Sequence, residues 1–475
     1  MPQRSPRLAR SAAQTELAAA LAALRRQLHV ADGFSPQVQA EAAEAASLGL
    51  DSDALDLREI EFCTIDPAGS TDLDQALHLS RDSDGLLVRY AIADVGWFVR
   101  PERAIDQEAR RRGQTLYAPD DRAPLHPTVL SEDAASLLPG QDRLAYVWQF
   151  RLDSDYRAGD VSLERAVVRS RRQWNYQDAQ RAADRTDAPE SFRLLLEFGE
   201  GRARLESERG GASLNFPNGE VVLTERGYVI ERRTPLPIED AGAQLSLMTG
   251  MAAAKIMLDG GIGILRTMPP AEPTAIEDFR RQTRALGLPW QDGVAYGDYL
   301  RDLDRSQPRT LAVLQAATSL FRGAGYRAFD GAPPDQFEQA AIAAPYAHVT
   351  APIRRLVDRF GLAVCDALIH RRPVPGWARE ALATLPEIMS GSDDLAARLD
   401  SGALNRVEAA LLKDRTDDTF EAVVLSRKDE RRRIQLTDPV VVASLNGTGE
   451  PGDQLRVRLV SADVATGETS FEPAS

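Results

Sequence analysis

Three aspartates in one short stretch are the residues of this chain whose types and spacing most clearly suggest chemistry. They are Asp66, Asp72 and Asp74, in the stretch CTIDPAGSTDLDQAL at residues 63–77. Residues two apart in a strand point to one face, so Asp72 and Asp74 would project together, and the turn sequence PAGS would fold Asp66 back beside them. Carboxylates this close repel one another unless a cation lies between them, and oxygen ligands suit magnesium or manganese better than zinc. The spacing predicts a divalent-metal site, with a solvated acidic turn as the alternative.

A second stretch, APYAHVTAPIRRLVDRF at residues 344–360, suggests a site for phosphate. Thr350 is a suitable N-cap and Pro352 suits a first turn, which predicts a helix with Arg354 and Arg355 just inside its start. A helix N-terminus attracts anions, and arginines there add charged donors for phosphate. The alternative is a surface helix with ordinary arginines.

The charge of the chain limits the kinds of partner it can have. The 475 residues carry a formal net charge of -14, which argues against a basic coat for non-specific duplex binding. A local basic lining is compatible with the sequence, because nearly all positive charge is arginine and lysine occurs only at Lys255, Lys413 and Lys428. Arginine offers a planar fork for phosphates and a face that stacks on bases.

Cysteine usage and hydropathy predict a cytoplasmic protein without a membrane span. Cys63 and Cys365 are far apart and lie among apolar neighbours, which argues against a disulfide framework and a cysteine zinc site. The most apolar helix candidate, residues 241–258, is interrupted by Gln244 and Lys255. We therefore interpret it as a buried helix.

The elements that must position these residues change character along the chain. Residues 1–58 predict a small helical module, with one helix at 15–28 and a second from Ser35 to about residue 48. This module is either a helix-turn-helix-like nucleic-acid contact or a helical brace for the next domain. From residue 58 short strands prevail, and we predict them at 61–65, 73–80, 86–95, 144–152, 161–168, 221–224 and 229–232, with a helix at 102–112.

Helices dominate after residue 235, and a β-rich segment ends the chain. We predict helices at 296–303, 309–321 and 353–369, and Thr274 with Glu277 predicts a capping box for another. Residues 413–475 suggest short strands separated by glycines, which we predict at 419–426, 432–436, 440–444, 454–462 and 469–472. This rhythm is typical of an OB-type barrel, a fold that often binds single-stranded RNA or oligosaccharide.

The stretch that carries the three aspartates, residues 63–77, resembles the catalytic signature of the ribonuclease II / ribonuclease R family. In that family the signature opens the RNB catalytic domain. The resemblance continues through YAIADVGWFV, TLYAPD and LSEDAASLLPG, and resumes at TAPIRR and ALNRVEAALL. These motifs occur in the family's order. The resemblance implies an α+β protein: a helical module at 1–58, a mixed α/β RNB domain at 59–412, and an OB-type barrel of the ribosomal S-one kind at 413–475.

The resemblance also implies roles for individual residues. Asp66, Asp72 and Asp74 would be the metal-binding carboxylates. Tyr117 would stack on or clamp the terminal nucleotide, and Arg354 would hold and polarise the scissile phosphate.

Three further residues are matched through shorter motifs. Glu408 would be the family's acidic residue near the scissile phosphate. Phe216 would sandwich the last base from the side opposite Tyr117, and Arg355 would be a further RNA contact.

The sequence departs from the family pattern at two informative places. The family has two adjacent aspartates where this chain has Asp74 and Gln75. Glutamine can coordinate a metal through its carbonyl oxygen but brings no charge, so one metal would be bound more weakly or differently. The family's N-terminal cold-shock barrels are replaced by the helical residues 1–58.

Three hypotheses follow from the sequence. The leading one is a processive 3′-to-5′ exoribonuclease that uses Mg²⁺, or Mn²⁺, to hydrolyse single-stranded RNA to nucleoside 5′-monophosphates, and that acts as a monomer. Direction, processivity and product are implied by the resemblance alone. The second is an RNA-binding protein on a degenerate nuclease scaffold, in which Gln75 has disabled metal binding. The third, a metal-dependent phosphohydrolase for small nucleotides, leaves the C-terminal barrel unexplained.

Overall fold

The structure is a computed structural model that describes most of the chain. The described residues are 12–83, 85–212, 218–224, 227–233, 235–304, 307–428, 431–439 and 441–474.

The described residues form α-helices and β-strands that we number in chain order. The helices are α1 (Ala12–Gln27), α2 (Pro36–Ala46), α3 (Val95–Phe98), α4 (Ala104–Arg112), α5 (Tyr176–Ala183), α6 (Glu190–Glu208), α7 (Pro237–Gly260), α8 (Pro273–Ala285), α9 (Tyr296–Arg301), α10 (Pro308–Ala317), α11 (Leu356–Ile369), α12 (Gly376–Ala381) and α13 (Leu385–Leu412). The strands are β1 (Leu55–Asp56), β2 (Cys63–Asp66), β3 (Gln75–Asp82), β4 (Gly85–Ala93), β5 (Leu116–Tyr117), β6 (Arg122–Ala123), β7 (Asp142–Leu152), β8 (Ala158–Arg169), β9 (Arg172–Asn175), β10 (Asn218–Thr224), β11 (Gly227–Arg233), β12 (Ile262–Thr267), β13 (Gly325–Asp330), β14 (Glu338–Gln339), β15 (Ala344–Pro345), β16 (Thr419–Lys428), β17 (Arg431–Leu436), β18 (Val442–Asn446), β19 (Gln454–Asp463) and β20 (Glu468–Pro473).

The two N-terminal helices form as their sequence predicts. Ser35 caps α2, because its hydroxyl accepts a hydrogen bond from the Val38 N–H at 3.3 Å, and Pro36 occupies the first turn. Helix α1 buries Leu17 and Leu21 in a cluster with α13 residues such as Leu399. The helical module therefore packs on the rest of the chain.

A seven-stranded sheet forms the centre of the molecule, with the strand order β1-β8-β7-β4-β3-β2-β9. Strands β3, β4, β7 and β8 form antiparallel neighbours, whereas β1 and β9 pair in parallel with β8 and β2. Such mixed pairing is common in large sheets.

Both faces of this sheet are buried, and each face has its own core. On one face Val88 and Trp148 pack with residues of α6, α7 and α11. On the other face Ala91 and Val147 pack with α2, α4 and the segment around Leu130. Alternate residues of one strand thus enter opposite cores, as the two-residue repeat of a strand requires.

The C-terminal strands form a closed barrel in the order β16-β17-β18-β20-β19. The barrel rests on the helices α8 to α10, where Leu425 joins a cluster that contains Phe279 and Trp290. The approach is close at Gly452, where an added Cβ would clash with the Ala285 carbonyl oxygen. The predicted α+β class and the C-terminal barrel are confirmed.

Two details of the sequence prediction are wrong in the helical half. Helix α8 begins at Pro273 after Glu272 and has no side-chain cap hydrogen bond, so Thr274 and Glu277 form no capping box. The sequence prediction also omitted the long helix α13. Among the described residues, no helix combines the length and the apolar character needed to cross a membrane.

Candidate active site

The three aspartates lie on the connection between β2 and β3. Asp66 is the last residue of β2, and β3 begins at Gln75. The predicted strand at 73–80 therefore starts too early, and Asp72 and Asp74 lie in a loop in place of an extended strand. The predicted turn is present, because the Ser70 N–H donates to the Pro67 carbonyl at 3.1 Å.

The loop is held in place by the segment LSEDAASLL. The Ser136 hydroxyl accepts from the Leu73 N–H at 3.0 Å and donates to the Thr71 carbonyl at 2.7 Å. The Leu137 N–H in turn donates to the Leu73 carbonyl at 3.0 Å. These bonds fix the backbone on both sides of Asp72 and so restrict where its carboxylate can point.

Asp74 connects the two stretches that the sequence analysis selected. Its Oδ1 accepts from the Ile353 N–H at 2.7 Å, and its Oδ2 accepts from Arg354 Nε at 3.2 Å. Asp74 is 4% exposed. The pKa of the Asp74 carboxyl is raised to about 8, chiefly by burial and also by the negative charge of Asp72, while Arg354 and the Ile353 N–H oppose the shift.

Asp72 is held by a small β-hairpin formed by β5 and β6, in which Tyr117 is paired with Arg122. Tyr117 Oη lies 3.2 Å from Asp72 Oδ2, and Arg122 Nη1 lies 2.9 Å from Asp72 Oδ1. Burial, followed by the charge of Asp72, raises the pKa of the Tyr117 hydroxyl. Tyr117 is therefore a neutral donor at ordinary pH.

Asp66 is the least satisfied of the three carboxylates. Its Oδ2 is buried and has no hydrogen-bond partner among the described residues. The pKa of Asp66 is raised to about 7, chiefly by burial and also by the nearby charge of Asp72, while the Thr64 hydroxyl and Arg354 oppose the shift. A buried carboxylate oxygen without a donor has lost its hydration, so it favours either a proton or a cation.

Gln75 has partners on both ends of its side-chain amide. Tyr90 Oη donates to Gln75 Oε1 at 2.7 Å, and Gln75 Nε2 donates to the Thr350 carbonyl at 2.6 Å. The side chain thus links β3 to β4 and to the segment before Arg354. Its coordination to a metal stays a prediction.

The phosphate-site helix begins later than predicted. Helix α11 starts at Leu356 with Arg355 as its N-cap, so Thr350 is not the cap and the two arginines lie before the helix. The Arg355 guanidinium bonds both oxygens of Asp358, each at 2.9 Å. This bidentate pair holds Arg355 to its own helix, whereas Arg354 reaches Asp74.

Glu408 is not part of this group. Glu408 lies on α13 and its Oε1 accepts from the Val442 N–H of the barrel at 3.3 Å, so its contact is with the barrel and not with the aspartates. Burial raises the pKa of the Glu408 carboxyl to about 7, against the opposing effects of the Val442 N–H and Arg433. Phe216 lies outside the described residues.

Sequence reasoning missed four residues that shape the site: Arg122, Glu132, Tyr90 and Ser136. Arg122 bonds Asp72, and its Nη2 also lies 2.6 Å from Glu132 Oε1. All four fall in or beside segments that carried the resemblance: Tyr90 opens YAIADVGWFV, Arg122 follows TLYAPD, and Glu132 and Ser136 lie in LSEDAASLLPG. Their place in these segments was the signal that the sequence offered. It did not reveal their contacts, because partners such as Arg122 and Asp72 are far apart in the chain.

The donor set fits a hard divalent cation, although the carboxylates have not converged on one point. Among the described residues, no three His, Cys, Asp or Glu side chains are close enough to hold a metal ion together. Asp66, Asp72 and Asp74 nevertheless supply only carboxylate oxygens, and the buried Asp66 Oδ2 has no donor. These residues would hold the ion, with Arg122 and Arg354 giving up part of their contact.

The RNB domain family matches residues 54–367, which is more than half of the chain. The chain therefore belongs to the RNB family of exoribonucleases. Residues 418–474 match the RNase II-type exonuclease C-terminal S1 domain, and these residues contain the closed barrel. The resemblance found in the sequence is confirmed. The boundaries proposed at residues 58 and 412 stay predictions.

Two curated relatives are each a little over a quarter identical to the chain across the aligned residues. The human exosome complex exonuclease RRP44 is 28% identical over 327 residues, covering 64% of this chain and 33% of the relative. Exoribonuclease 2 of Photorhabdus laumondii is 27% identical over 358 residues, covering 71% of this chain and 54% of the relative. The chain thus spans about a third to a half of the length of these relatives.

Solved structures share the fold over nearly the whole chain. Mycoplasma genitalium RNase R, in complex with ribose-methylated single-stranded RNA, has a TM-score of 0.84 at 16% identity, covering 97% of this chain and 78% of that chain. Yeast Ssd1, described as a pseudonuclease, has a TM-score of 0.71 at 17% identity, covering 87% and 54%. The fold is therefore compatible with an active nuclease and with an inactive one.

Proposed function

We propose that this chain is a processive 3′-to-5′ exoribonuclease that hydrolyses single-stranded RNA to nucleoside 5′-monophosphates with Mg²⁺ or Mn²⁺. The observation that carries the proposal is the ion pair between Arg354 and Asp74. It brings together an aspartate cluster and a candidate phosphate-binding arginine that are 280 residues apart. Phosphodiester hydrolysis needs both kinds of group at one place.

The carboxylates and Arg354 have complementary tasks in this proposal. Asp66, Asp72 and Asp74 hold the divalent ion, which when bound lowers the pKa of an attacking water and neutralises charge on the phosphate. Arg354 donates to a non-bridging phosphate oxygen, a contact that strengthens as negative charge develops. The Ile353 N–H keeps Asp74 oriented, because it binds the oxygen that Arg354 does not.

Tyr117 positions the RNA end in this proposal. Its hydroxyl is held by Asp72, so the ring is fixed close to the carboxylates. Stacking of a base on such a ring contributes about 1 to 3 kcal/mol of binding free energy, whichever base it is. Phe216 as the opposing ring and Arg355 as a further RNA contact remain part of the proposal, although Arg355 would have to share its guanidinium with Asp358.

The second candidate function is RNA binding on a degenerate scaffold. Two observations favour it: Gln75 brings no charge, and its amide is occupied by Tyr90 and the Thr350 carbonyl. The combination of Asp66, Asp72, Asp74 and Arg354 favours the enzyme, because binding RNA alone needs no cluster of carboxylates, which repel phosphate.

The proposal includes three further properties: the partner, the oligomeric state and the location. We propose single-stranded RNA as the partner because the C-terminal S1 domain is a barrel of the OB type. A monomer is proposed because no obligate protein partner is evident from the sequence. The cytoplasmic location rests on cysteine usage, and the structure shows Cys63 and Cys365 buried and free.

The test is a time course on 5′-labelled single-stranded RNA and on the same sequence as DNA, with Mg²⁺, with Mn²⁺ and with chelator. The proposal expects metal-dependent conversion of RNA to very short labelled fragments without intermediate lengths, and intact DNA. A ladder of intermediates would contradict processivity alone. RNA that is bound but intact in both metals would establish the binding protein, and cleavage of dinucleotides but not oligomers would establish a small-nucleotide phosphohydrolase.

A further inference from the structure

Arg122 has an unusual position among the groups around the aspartates. It lies on β6, directly across the hairpin from Tyr117 on β5. Both side chains reach the same carboxylate, because Arg122 Nη1 lies 2.9 Å from Asp72 Oδ1 and Tyr117 Oη lies 3.2 Å from Asp72 Oδ2. One hairpin therefore supplies a donor to each oxygen of Asp72.

Arg122 is also held from its other side. Its Nη2 donates to Thr71 Oγ1 at 2.9 Å and lies 2.6 Å from Glu132 Oε1. Thr71 Oγ1 in turn donates to Glu132 Oε2 at 3.0 Å. The guanidinium thus bridges two carboxylates, and it is 27% exposed. Its fork is fixed by the loop that carries Asp72 and by the segment that holds that loop.

These contacts explain why the carboxylates have not converged. Asp72 presents both oxygens to the hairpin, and Asp74 presents both to Ile353 and Arg354. Asp66 Oδ2 has no such donor. A divalent ion held by Asp66 and Asp72 would therefore lie beside the positive charge of Arg122.

We infer that Arg122 is the resident counter-ion of Asp72, which orients that carboxylate and competes with the divalent cation for it. The inference rests on the proposed function, because it concerns the cation that the proposed reaction uses. Arg122 is a positioning residue, since it acts through Asp72. Two effects of opposite sign follow: its charge weakens metal binding by repulsion, and its bonds keep Asp72 in the geometry needed for hydrolysis.

The experiment measures Mn²⁺ binding to the RNA-free protein by calorimetry, and separately the hydrolysis of RNA. Arg122→Gln removes the charge and keeps a polar side chain. We expect the Mn²⁺ dissociation constant of Arg122→Gln to fall about fivefold or more, because the positive guanidinium beside the metal site is lost. We expect kcat to fall by at least about tenfold. Arg122→Lys restores the charge without the fork, so its Mn²⁺ affinity should return toward that of the natural chain.

Glu132→Gln supplies the opposite change. Without the Glu132 charge, Arg122 pairs more fully with Asp72, so Mn²⁺ binding should weaken. Arg81→Gln is the matched control, because Arg81 pairs with Glu197 on the surface, and its side chain is 49% exposed. Thermal unfolding of each variant shows that it is folded, and the Glu132 variant tests the inference even if Arg122→Gln does not fold.

The outcomes separate this inference from the proposed function. Natural protein that binds Mn²⁺ and cleaves RNA, together with unchanged or weaker Mn²⁺ binding in folded Arg122→Gln, would overturn the inference and leave the function standing. If the natural protein binds no Mn²⁺ and chelator has no effect on RNA, the metal-dependent function fails and the inference fails with it. Tighter binding in Arg122→Gln and weaker binding in Glu132→Gln would support the inference.

Discussion

Asp74 is the residue at which hydrolysis and RNA binding should separate most cleanly. Asp74→Asn removes the group that can ionise and bind the cation but keeps an oxygen for the Ile353 N–H, so the loop should retain its position. We expect kcat to fall by at least about a thousandfold while the dissociation constant for RNA changes less than about threefold. Single-turnover hydrolysis and filter binding measure the two quantities.

The control for this change is Asp187→Asn, an exposed aspartate that pairs with Arg185 on the surface. It should leave both quantities unchanged. If Asp74→Asn lost binding and hydrolysis to the same degree, the carboxylate would be holding RNA or the fold, and the proposed division of roles would be wrong.

Tyr117 contributes a ring and a hydroxyl, and two substitutions distinguish them. Tyr117→Phe loses the bond to Asp72 but keeps the ring, whereas Tyr117→Ala loses both. We expect Tyr117→Ala to change the length of the smallest RNA product while hydrolysis continues, because stacking sets where the 3′ end stops. Tyr117→Phe should yield the natural end product. High-resolution gels of the end products measure this, and identical products from all three proteins would contradict the stacking role.

For single residues, the sequence identifies functional groups better than it identifies the residues they contact. Asp66, Asp72, Asp74 and Arg354 were selected from local spacing, and the structure brings Arg354 to Asp74. The contacts of Gln75 could not be foreseen, because the Thr350 carbonyl it bonds is 275 residues away. No local rule encodes such a contact, since it depends on how distant elements pack.

At the scale of secondary-structure elements, the N-terminal residues contact the segment that carries Tyr117 and Arg122. Arg25 on α1 bonds Asp120, in the turn of the hairpin, at 2.6 Å. The guanidinium of Arg112, at the end of α4, lies over the Phe34 ring at 3.9 Å and also donates to the Pro124 carbonyl at 3.0 Å. Of the two roles predicted for residues 1–58, these contacts favour the brace.

The brace can be tested without any assay of activity. Arg25→Gln breaks the ion pair with Asp120, and the side chains of this pair are 21% and 11% exposed. Because the pair is partly shielded from water, its loss should make local opening of the hairpin easier by about 1 kcal/mol, which is about a fivefold faster amide exchange. Hydrogen–deuterium exchange of peptides that cover residues 114–124 measures this rate.

Arg26→Gln is the control, because Arg26 is the next residue of the same helix and its side chain is exposed. It should leave exchange in the hairpin unchanged. Equal rates in Arg25→Gln and the natural protein would mean that the pair between Arg25 and Asp120 does not hold the hairpin.

Predicted elements were most accurate where local chemistry decides them and least accurate at element ends. Ser35 and Pro36 start α2 as expected, because a cap needs only neighbouring residues. Thr350 and Pro352 carry the same signal at α11, yet the helix starts at Leu356. In the segment before Leu356 the backbone makes other hydrogen bonds: the Thr350 carbonyl accepts from Gln75, and the Ile353 N–H donates to Asp74. Tertiary contacts override the capping signal.

At the scale of the whole molecule, the barrel and the helical half of the chain meet through buried groups. Leu425 of the barrel packs with Phe279 and Trp290, and Gly452 approaches Ala285 so closely that no side chain fits. Glu408 adds a polar contact to the Val442 N–H. The sequence predicted the barrel from the spacing of its strands. It placed Glu408 near the scissile phosphate from a motif match alone, and such a match does not show which face of a long helix the barrel covers.

The buried Glu408 predicts how the stability of this junction depends on pH. Its pKa is about 7 in the folded chain and 4.5 as an ordinary glutamate, so between these values the folded chain holds a proton that the unfolded chain has released. Stability therefore falls as pH rises through this window and is level above it. Glu408→Gln resembles the protonated form, keeps an acceptor for the Val442 N–H, and should be more stable than the natural chain at about pH 8, by roughly 1 to 3 kcal/mol, with little difference at about pH 4.

Urea unfolding at both pH values measures this difference, and Glu387→Gln on the exposed side of α13 is the control that should change neither. The same variant also decides the role of Glu408 in the reaction. If Glu408 only joins helix and barrel, Glu408→Gln should hydrolyse RNA at the natural rate per folded molecule, because its contacts are with the barrel. A loss of kcat comparable with that of Asp74→Asn, in a protein that is folded and binds RNA, would instead mean that the barrel face of α13 reaches the scissile phosphate when RNA is bound.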